Sequence, residues 1–290
     1  MTDPFRGYLG DYLVPGDLTG DIKAQINEGA LIVHYSGHGS IQLLTGESVF
    51  GNADVADLTN EDKYPFFISM SCLSGYFGYP EGWLDVPSLA QVLLRSDAKG
   101  AVAALMPTGM TTTGGQHILT QALFDALFTE DTRILGEAIS LAKQTLLANG
   151  GDFSETSETF LLFGDPATEL KIPLPRRPRA VSAQSSTGGV RISWNVATDC
   201  NGGSVSGYNL YRSTSPGGEY TRVNNTRITA TQYDDTSTEG GTTYTYVVTS
   251  VDTDSLESVQ SQQASATAGF TASSTSGCFI STAAGHCRWE

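Results

Sequence analysis

Four short apolar runs, separated by helical patterns, constrain the first 172 residues more strongly than any other feature. Each run stops at a glycine, a cysteine or a proline. The runs cover residues 31–36, 65–71, 100–106 and 159–163. Runs that are apolar on both faces are typical of parallel strands covered by helices on both sides. Apolar residues recur at helical spacing over residues 87–94, 116–128 and 134–148. This alternation predicts an α/β fold with a doubly wound parallel sheet.

A change of composition at residues 172–179 marks the start of a second region. This segment contains three prolines within six residues, which favours an extended linker. From residue 180 to about 268 the chain has no lysine, is rich in Thr, Ser and Gly, and shows short alternating runs. That pattern is typical of an all-β, immunoglobulin-like sandwich. We therefore expect a domain at 1–173, a linker at 174–179, a sandwich at 180–269 and a cysteine-containing tail at 270–290.

The charge balance excludes one broad class of partner. The chain carries 31 acidic and 16 basic side chains, a net charge of −15. A general binder of nucleic-acid backbones needs a basic surface, so we expect no nucleic-acid partner. The sequence also has no apolar run near the roughly 18 residues that a membrane span requires. Most of the acidic excess lies in the first 174 residues, where it suits solubility or a bound calcium ion.

A histidine and a cysteine follow the first two apolar runs. His38 comes two residues after the first run, and Cys72 comes directly after the second. The carboxyl ends of parallel strands share one edge of a sheet, where open α/β folds place their sites. If these strands are neighbours, about 4.8 Å apart, the thiol and the imidazole face one crevice. This pair is the minimum machinery for thiol nucleophilic catalysis. The structural alternative is a small, buried core cysteine.

Glycines on both sides of His38 suit the same chemistry. Gly37 and Gly39 permit backbone conformations that are closed to other residues. The N–H groups of Gly39 and Cys72 would then be free to donate hydrogen bonds to a developing oxyanion. We therefore expect these two amides to form an oxyanion hole.

Four motifs resemble those of the gingipain family of cysteine peptidases, which belongs to the caspase-like clan. They lie, in the family's order, at residues 34–40, 71–77, 100–109 and 160–167. The His-Gly and Ser-Cys pairs alone would be weak signals, but four motifs in this order are specific. The resemblance extends over about residues 20–172 of the sequence.

The resemblance implies both a fold and a set of roles. It implies a caspase-like α/β/α sheet, with His38 as the catalytic histidine and Cys72 as the nucleophile. It also implies secretion or display at the cell surface, a C-terminal immunoglobulin-like module and structural calcium, with no cofactor required for the chemistry. The first residues lack the basic start and apolar stretch of a signal peptide. We therefore expect coding sequence upstream of Met1.

The sequence departs from the caspase-like pattern near its start. In that clan the sheet has six main strands, and the histidine follows the third. Here only a helical segment at residues 18–27 precedes the histidine strand, so we expect the first two strands to be missing. The strand before His38 would then be an exposed edge unless a further segment covers it. The region in which the family selects its cleavage residue is missing as well, so no cleavage preference is inferred.

Residues 180–269 resemble the fibronectin type III module over nearly its whole length. In this resemblance Trp194 is the buried core tryptophan, and Tyr244 is the tyrosine whose hydroxyl closes the corner before its strand. Such modules serve as spacers, adhesive units or stability aids. The module by itself therefore specifies no function.

Other residues with reactive side chains have structural interpretations. We interpret His34 as a packed histidine inside its strand and His117 as a surface residue. Asp165 lies in a Gly-Asp-Pro step, which commonly ends a strand, so we interpret it as structural rather than as a partner for the histidine.

The remaining cysteines leave several alternatives open. Cys278 and Cys287 would form a disulfide across a short loop, bind metal together with His286, or lie in a disordered tail. Cys200 has no assigned partner.

These observations predict a secreted cysteine endopeptidase that acts on proteins or peptides through a Cys-His dyad. The alternative is a catalytically incomplete caspase-like remnant, whose fibronectin type III module acts in binding or adhesion. From position at the carboxyl edge of the sheet, the candidate substrate cleft contains Ser40, Tyr76, Thr108 and Met110.

Overall fold

The computed structural model describes residues 15–45, 48–78 and 86–271. The chain divides between Pro173 and Leu174 into two compact units, inside the proline-rich segment. None of the helices in the described residues is long and apolar enough to cross a membrane. Residues 272–290, which include Cys278, His286 and Cys287, lie outside the described part of the chain.

The first unit contains a main sheet and a small hairpin. Its strands are β1 (Ile32–Ser36), β2 (Leu43–Leu44), β3 (Phe50–Gly51), β4 (Phe66–Met70), β5 (Ala103–Pro107) and β6 (Phe160–Phe163). Its helices are α1 (Pro15–Gly29), α2 (Asn52–Ala56), α3 (Leu89–Arg95), α4 (Thr113–Phe124), α5 (Leu135–Ala148) and α6 (Ser154–Thr159). A π-helical turn, Asp125–Thr129, continues α4. The main sheet has the order β1-β4-β5-β6, and β2 pairs with β3 in a separate hairpin.

Helices cover both faces of the main sheet. Val33, Phe67 and Ala104 are in register on β1, β4 and β5, and they join one hydrophobic core with residues of α1, α2 and α3. Successive strand residues point to opposite faces. On the opposite face, the ring of His34 packs edge to face against Phe124 of α4. This arrangement confirms the doubly wound α/β layer structure.

The last strand of the sheet differs from the prediction. β1, β4 and β5 are parallel, but β6 runs antiparallel to β5, so the expectation of an entirely parallel sheet is wrong for β6. Two long helices, α4 and α5, lie between β5 and β6 and pack against each other. The short helix α6 follows them, and the chain then enters β6 at the carboxyl edge that β5 reached. Phe160, the first residue of β6, accordingly pairs with Pro107, the last residue of β5.

The second unit is a sandwich of two antiparallel sheets. Its strands are β7 (Ser182–Ser186), β8 (Gly189–Ser193), β9 (Gly207–Ser213), β10 (Thr221–Arg222), β11 (Gln232–Asp235), β12 (Thr243–Val251) and β13 (Ala264–Thr267). One sheet has the order β11-β8-β7 and the other has the order β10-β9-β12-β13. Among the described residues this is the seven-strand immunoglobulin-like arrangement, which confirms the predicted fold class.

Two aromatic residues occupy the positions expected of a fibronectin type III module. Trp194 is only 5% exposed, and its ring packs edge to face against Tyr208 with 5.3 Å between the ring centroids. The Tyr244 hydroxyl accepts a hydrogen bond of 3.1 Å from the backbone N–H of Glu239, five residues earlier. This contact is the tyrosine corner, which fixes the connection that enters β12.

A buried carboxylate adds a polar element to the sandwich. Asp235 is 1% exposed, and its side chain accepts hydrogen bonds from Arg212 (2.7 Å), the Ser237 hydroxyl (2.6 Å) and the Tyr246 hydroxyl (3.0 Å). Burial raises the pKa of this carboxyl, but the hydrogen bonds from Ser237 and Arg212 outweigh burial and hold the pKa below its ordinary value. The ionised form of Asp235 is therefore the form that the fold stabilises.

We expect Asp235→Asn to lower the free energy of unfolding of the full chain by about 2–3 kcal/mol at pH 7, because it removes a charge-assisted hydrogen bond in a buried setting. Asp234→Asn is the matched control, since the neighbouring Asp234 pairs with Arg191 in an exposed salt bridge that contributes only about 0–1 kcal/mol. Urea denaturation of each variant measures the difference.

The contribution of Asp235 to the free energy of unfolding must depend on pH in a defined direction. Because the folded-state pKa of Asp235 lies below its ordinary value of 3.8, the stabilisation is fully present above that value. It is lost as the pH falls through the folded-state pKa. The gap between the native chain and Asp235→Asn should therefore narrow on acidification, and a constant gap would contradict this account.

Candidate active site

The site begins with the pairing of two neighbouring strands. β1 and β4 are parallel, and their last residues, Ser36 and Met70, lie opposite each other. The Gly37 N–H extends the pairing by donating a 3.1 Å hydrogen bond to the Met70 carbonyl. His38 and Cys72 each follow two residues after this matched pair. The two strands are thus the neighbours that the sequence argument required, and both side chains lie at the carboxyl edge of the sheet.

The loops that carry the two residues are in close contact. A Cβ atom at Gly39 would lie 2.7 Å from both Cβ and Oγ of Ser71, and 3.2 Å from the Cys72 carbonyl oxygen. The backbone of Gly39 is not in the left-handed region. Glycine is therefore needed at position 39 for close approach to the neighbouring loop, and not for the unusual backbone conformation that was expected from the sequence.

The loop after Cys72 is tied to the end of β5. The Leu73 N–H donates a hydrogen bond of 3.1 Å to the Gly109 carbonyl, and the Gly75 N–H donates one of 2.9 Å to the Pro107 carbonyl. Leu73 itself has a left-handed φ of 62°. A non-glycine residue in that region costs free energy, and it persists only where surrounding contacts hold it. The backbone directly after Cys72 is therefore sharply turned and pinned.

Three buried serines lie beneath the cysteine. Their hydroxyl oxygens form a short chain, with 2.7 Å between Ser69 and Ser71 and 3.1 Å between Ser71 and Ser74. All three residues are fully buried. The hydroxyls satisfy one another, so polar side chains can occupy this part of the core without unpaired groups.

The sulfur and the two neighbouring amides remain accessible for chemistry. Cys72 is half-buried and not in a disulfide, and its Sγ lies 3.9 Å from the Thr111 carbonyl oxygen. His38 is exposed. Among the described residues, no hydrogen bond uses the N–H of Gly39 or of Cys72 as its donor. A thiol, an imidazole and two unused amide donors therefore occupy adjoining loops.

The four residues predicted to line a substrate cleft all follow strands at this edge. Ser40 is exposed, and Met110 is 65% exposed. Tyr76 donates its hydroxyl hydrogen to the Gly78 carbonyl at 3.0 Å. Thr108 donates its hydroxyl hydrogen to the Thr159 carbonyl at 3.0 Å, so this hydroxyl is engaged with the segment that leads into β6.

The model of Peptidase family C25 matches residues 6–171, which is more than half of the chain. The chain belongs to Peptidase family C25. This match confirms the resemblance to the gingipain family that the four motifs indicated.

Individual relatives agree with the family assignment. Gingipain R2 of Porphyromonas gingivalis (strain ATCC BAA-308 / W83) is 27% identical over 197 residues, which cover 65% of this chain and 26% of that protein. Gingipain R1 of the same species is 27% identical over 197 residues, 65% of this chain and 19% of that protein. The chain thus spans about a quarter or less of the length of these curated relatives.

Solved structures show similarity to both units. The Arg-specific cysteine proteinase gingipain R is similar over 86% of this chain and 56% of that chain, with 19% identity and a TM-score of 0.49. An Fn3-like protein from Clostridium thermocellum is similar over 33% of this chain and 93% of that chain, with 34% identity and a TM-score of 0.29.

Asp165 lies away from the edge of the sheet that carries His38 and Cys72. Because β6 is antiparallel, Phe163 pairs with Ala104, and Asp165 continues toward the edge opposite to that of His38. The Asp165 carboxylate accepts a hydrogen bond of 2.8 Å from the backbone N–H of Ala167, which is the contact of a turn. Asp165 therefore ends a strand and does not orient His38.

Two polar residues of the site were not singled out from the sequence. Thr111 and Gln116 both donate hydrogen bonds of 2.9 Å to the carbonyl of Ser71, the residue before Cys72. The available signal was a glutamine at a buried position of α4, between Gly115 and Leu119. A polar side chain on an apolar helical face needs a buried partner, but helical spacing alone does not identify that partner.

Two further residues with reactive side chains lie elsewhere in the described part of the chain. His117 is exposed on α4, as expected. Cys200 is a free cysteine of the second unit. Within residues 15–45, 48–78 and 86–271, no group of three or more His, Cys, Asp or Glu side chains could hold a metal ion.

His34 is a packed histidine whose charge the fold disfavours. Its Nε2 atom is buried and has no hydrogen-bond partner among the described residues, and burial lowers the pKa of the imidazole. A histidine with a lowered folded-state pKa contributes full stability above its unfolded pKa of about 6.5, and this stability is lost as the pH falls below that value.

We expect His34→Leu to reduce the loss of melting temperature between pH 7.5 and pH 5, because it removes a group that must stay neutral inside the fold. His117→Gln is the control, since His117 is an exposed histidine on α4. An unchanged acid sensitivity in His34→Leu would contradict the assignment.

Proposed function

We propose that the first unit hydrolyses peptide bonds of proteins or peptides, with Cys72 as the nucleophile and His38 as the proton carrier. One observation supports this most directly. Cys72 and His38 leave paired parallel strands at the same level, beside two amide groups that donate no hydrogen bond among the described residues. Membership of Peptidase family C25 supports the same chemistry.

In the proposed reaction His38 takes the proton of the Cys72 thiol, and the sulfur attacks the carbonyl carbon of the scissile bond. The negative charge then forms on the carbonyl oxygen, where the N–H groups of Gly39 and Cys72 stabilise it. His38 gives a proton to the amine as the carbon–nitrogen bond breaks, leaving a thioester on Cys72. A water molecule then attacks the thioester while His38 accepts a proton from that water. The carbon–sulfur bond breaks, the carboxylic acid product leaves, and His38 returns the proton to Cys72.

The setting of the loops supports access for a polypeptide. His38 is exposed, and Met110 is a large apolar side chain left open to solvent at the same edge of the sheet. We place the substrate cleft here, with Ser40, Tyr76 and Thr108 on its other loops. We also propose that this peptidase acts outside the cell, and membership of Peptidase family C25 supports that location.

Reactivity of Cys72 tests the proposal. An acyloxymethyl ketone or vinyl-sulfone probe should label the native chain, Cys72→Ala should not be labelled, and His38→Ala should be labelled about 10²–10⁴-fold more slowly because general acid–base catalysis is lost. Cys200→Ala is the matched control, since it removes the other free cysteine of the described residues and should leave labelling intact. Absence of labelling in a folded native sample would overturn the proposal and favour a non-catalytic binding protein.

We also propose that the chemistry needs no cofactor, while calcium has at most a structural role. Peptide turnover should then survive dialysis against a chelator at temperatures where the chain stays folded. Calorimetry with and without calcium measures the structural role separately. A loss of kcat at an unchanged melting temperature would contradict cofactor-independent chemistry.

A further inference from the structure

The peptide unit that joins Ser71 to Cys72 is held through its carbonyl. The Ser71 oxygen accepts one hydrogen bond from the Thr111 hydroxyl and one from the Gln116 side-chain amide, each 2.9 Å long. A carbonyl oxygen has two lone pairs, so this oxygen is fully used. The N–H of the same peptide unit belongs to Cys72, and among the described residues it donates to no acceptor.

The peptide unit that joins His38 to Gly39 is held in the same way. The His38 oxygen accepts a hydrogen bond of 2.6 Å from the Tyr35 hydroxyl and one of 2.9 Å from the Thr45 N–H. The N–H of this unit belongs to Gly39, and it too has no acceptor within the described residues. The two peptide units of the proposed oxyanion hole thus share one arrangement. In each, the carbonyl oxygen accepts two hydrogen bonds and the N–H donates none among the described residues.

Peptide geometry gives this arrangement a consequence. The described peptide bonds are all trans, and in a trans unit the C=O and N–H groups point in opposite directions. Fixing the carbonyl therefore fixes the direction of the N–H. Hydrogen bonds accepted by the carbonyl also polarise the peptide unit and strengthen its N–H as a donor.

We propose that Tyr35, Thr111 and Gln116 are positioning residues that hold the two oxyanion donors in place before substrate binds. This inference rests on the proposed peptidase function. None of the three side chains needs to touch the substrate. They act through the carbonyls of His38 and Ser71.

The surroundings of Gln116 support a specific task. The side chain is only 6% exposed, and its amide also donates a hydrogen bond of 2.6 Å to the Thr111 hydroxyl. The backbone carbonyl of Thr111 faces the Cys72 sulfur at 3.9 Å. The connection between β5 and α4 therefore contacts the Cys72 sulfur through the Thr111 carbonyl, and it contacts the Ser71–Cys72 peptide unit through the Thr111 hydroxyl.

Kinetics of three variants test the inference. Gln116→Met and Thr111→Val remove the donors to Ser71, and each should lower kcat by about tenfold with KM within twofold. A removed oxyanion donor costs roughly 10²–10³ in kcat, and a donor that is only loosened should cost less. Tyr35→Phe should cost less again, because the Thr45 N–H still holds the His38 carbonyl. Thr111→Ser keeps the hydroxyl and should retain native kcat.

Matched controls separate positioning from general damage. Asn60 is a fully buried amide that donates to the carbonyls of Gly100 (2.8 Å) and Lys63 (3.2 Å) and accepts from the Gly100 N–H (3.0 Å), so Asn60→Leu removes buried amide hydrogen bonds elsewhere in the unit. Tyr64→Phe removes a hydroxyl from a partly exposed tyrosine. Both controls should keep native kcat in samples that remain folded.

Two reagents distinguish the oxyanion hole from the thiol. A peptide aldehyde forms a hemithioacetal with Cys72, and its oxygen needs the two amide donors, whereas alkylation by iodoacetamide does not. Gln116→Met should bind the aldehyde about tenfold more weakly while Cys72 is alkylated at the native rate. Equal losses with both reagents, or no loss with either, would overturn the inference.

An NMR signal reports on the hydrogen bonds to the Ser71 carbonyl without any turnover. Ser71-Cys72 is the sole Ser-Cys step in the sequence. Labelling with carbonyl-¹³C serine and ¹⁵N cysteine therefore gives a single cross-peak from this peptide unit in the full chain. Loss of the hydrogen bonds to the Ser71 carbonyl should shift its ¹³C resonance upfield in Gln116→Met and Thr111→Val, but not in Asn60→Leu.

The two hypotheses can fail independently. If the native chain neither cleaves peptides nor reacts with the probes, the proposed function fails, and the cross-peak still decides whether Thr111 and Gln116 hold the peptide unit. If the native chain is active, an unchanged cross-peak or native kcat in Gln116→Met overturns the inference alone.

Discussion

The candidate site depends on the parallel pairing of β1 with β4. The register sets Ser36 opposite Met70, and the next hydrogen bond, from Gly37 to the Met70 carbonyl, carries the pairing past the end of both strands. His38 and Cys72 therefore emerge at the same level on neighbouring loops. A slip of one residue would turn every side chain of β1 to the opposite face, so the packing of the partly buried Val33 against the core also fixes the position of His38 relative to Cys72.

A third strand gives this pair its support. The connection after β5 receives hydrogen bonds from the loop that follows Cys72, and it supplies the Thr111 hydroxyl to the peptide unit before Cys72. The first turns of α4 add Gln116. The peptide unit before Cys72 is thus held by residues about 40 positions later in the chain. Under the proposed function this support keeps the Cys72 amide in place, and a preorganised oxyanion donor lowers the barrier of acyl transfer because it needs no rearrangement when charge develops.

Because β6 is antiparallel, the residues that follow it lie at the edge of the sheet opposite to the candidate site. The strand carries the Gly-Asp-Pro step to that edge, away from Cys72. The second unit needs no part of this site for its own fold. Trp194, the Tyr244 corner and the buried Asp235 hold its two sheets together through contacts within the sandwich.

The sequence by itself determined the four strands of the main sheet, its longer helices, the two units and the positions of His38 and Cys72 after two of those strands, because strands, helices and motifs depend on residues close together in the chain. It also anticipated the tyrosine corner, which joins residues only five positions apart. Only the tertiary structure decided the direction of β6, the close approach that requires Gly39, and the hydrogen bonds from Thr111 and Gln116 to Ser71. Those features join segments that are distant in sequence, and a buried glutamine on a helix does not reveal which carbonyl it will meet until the strands are placed.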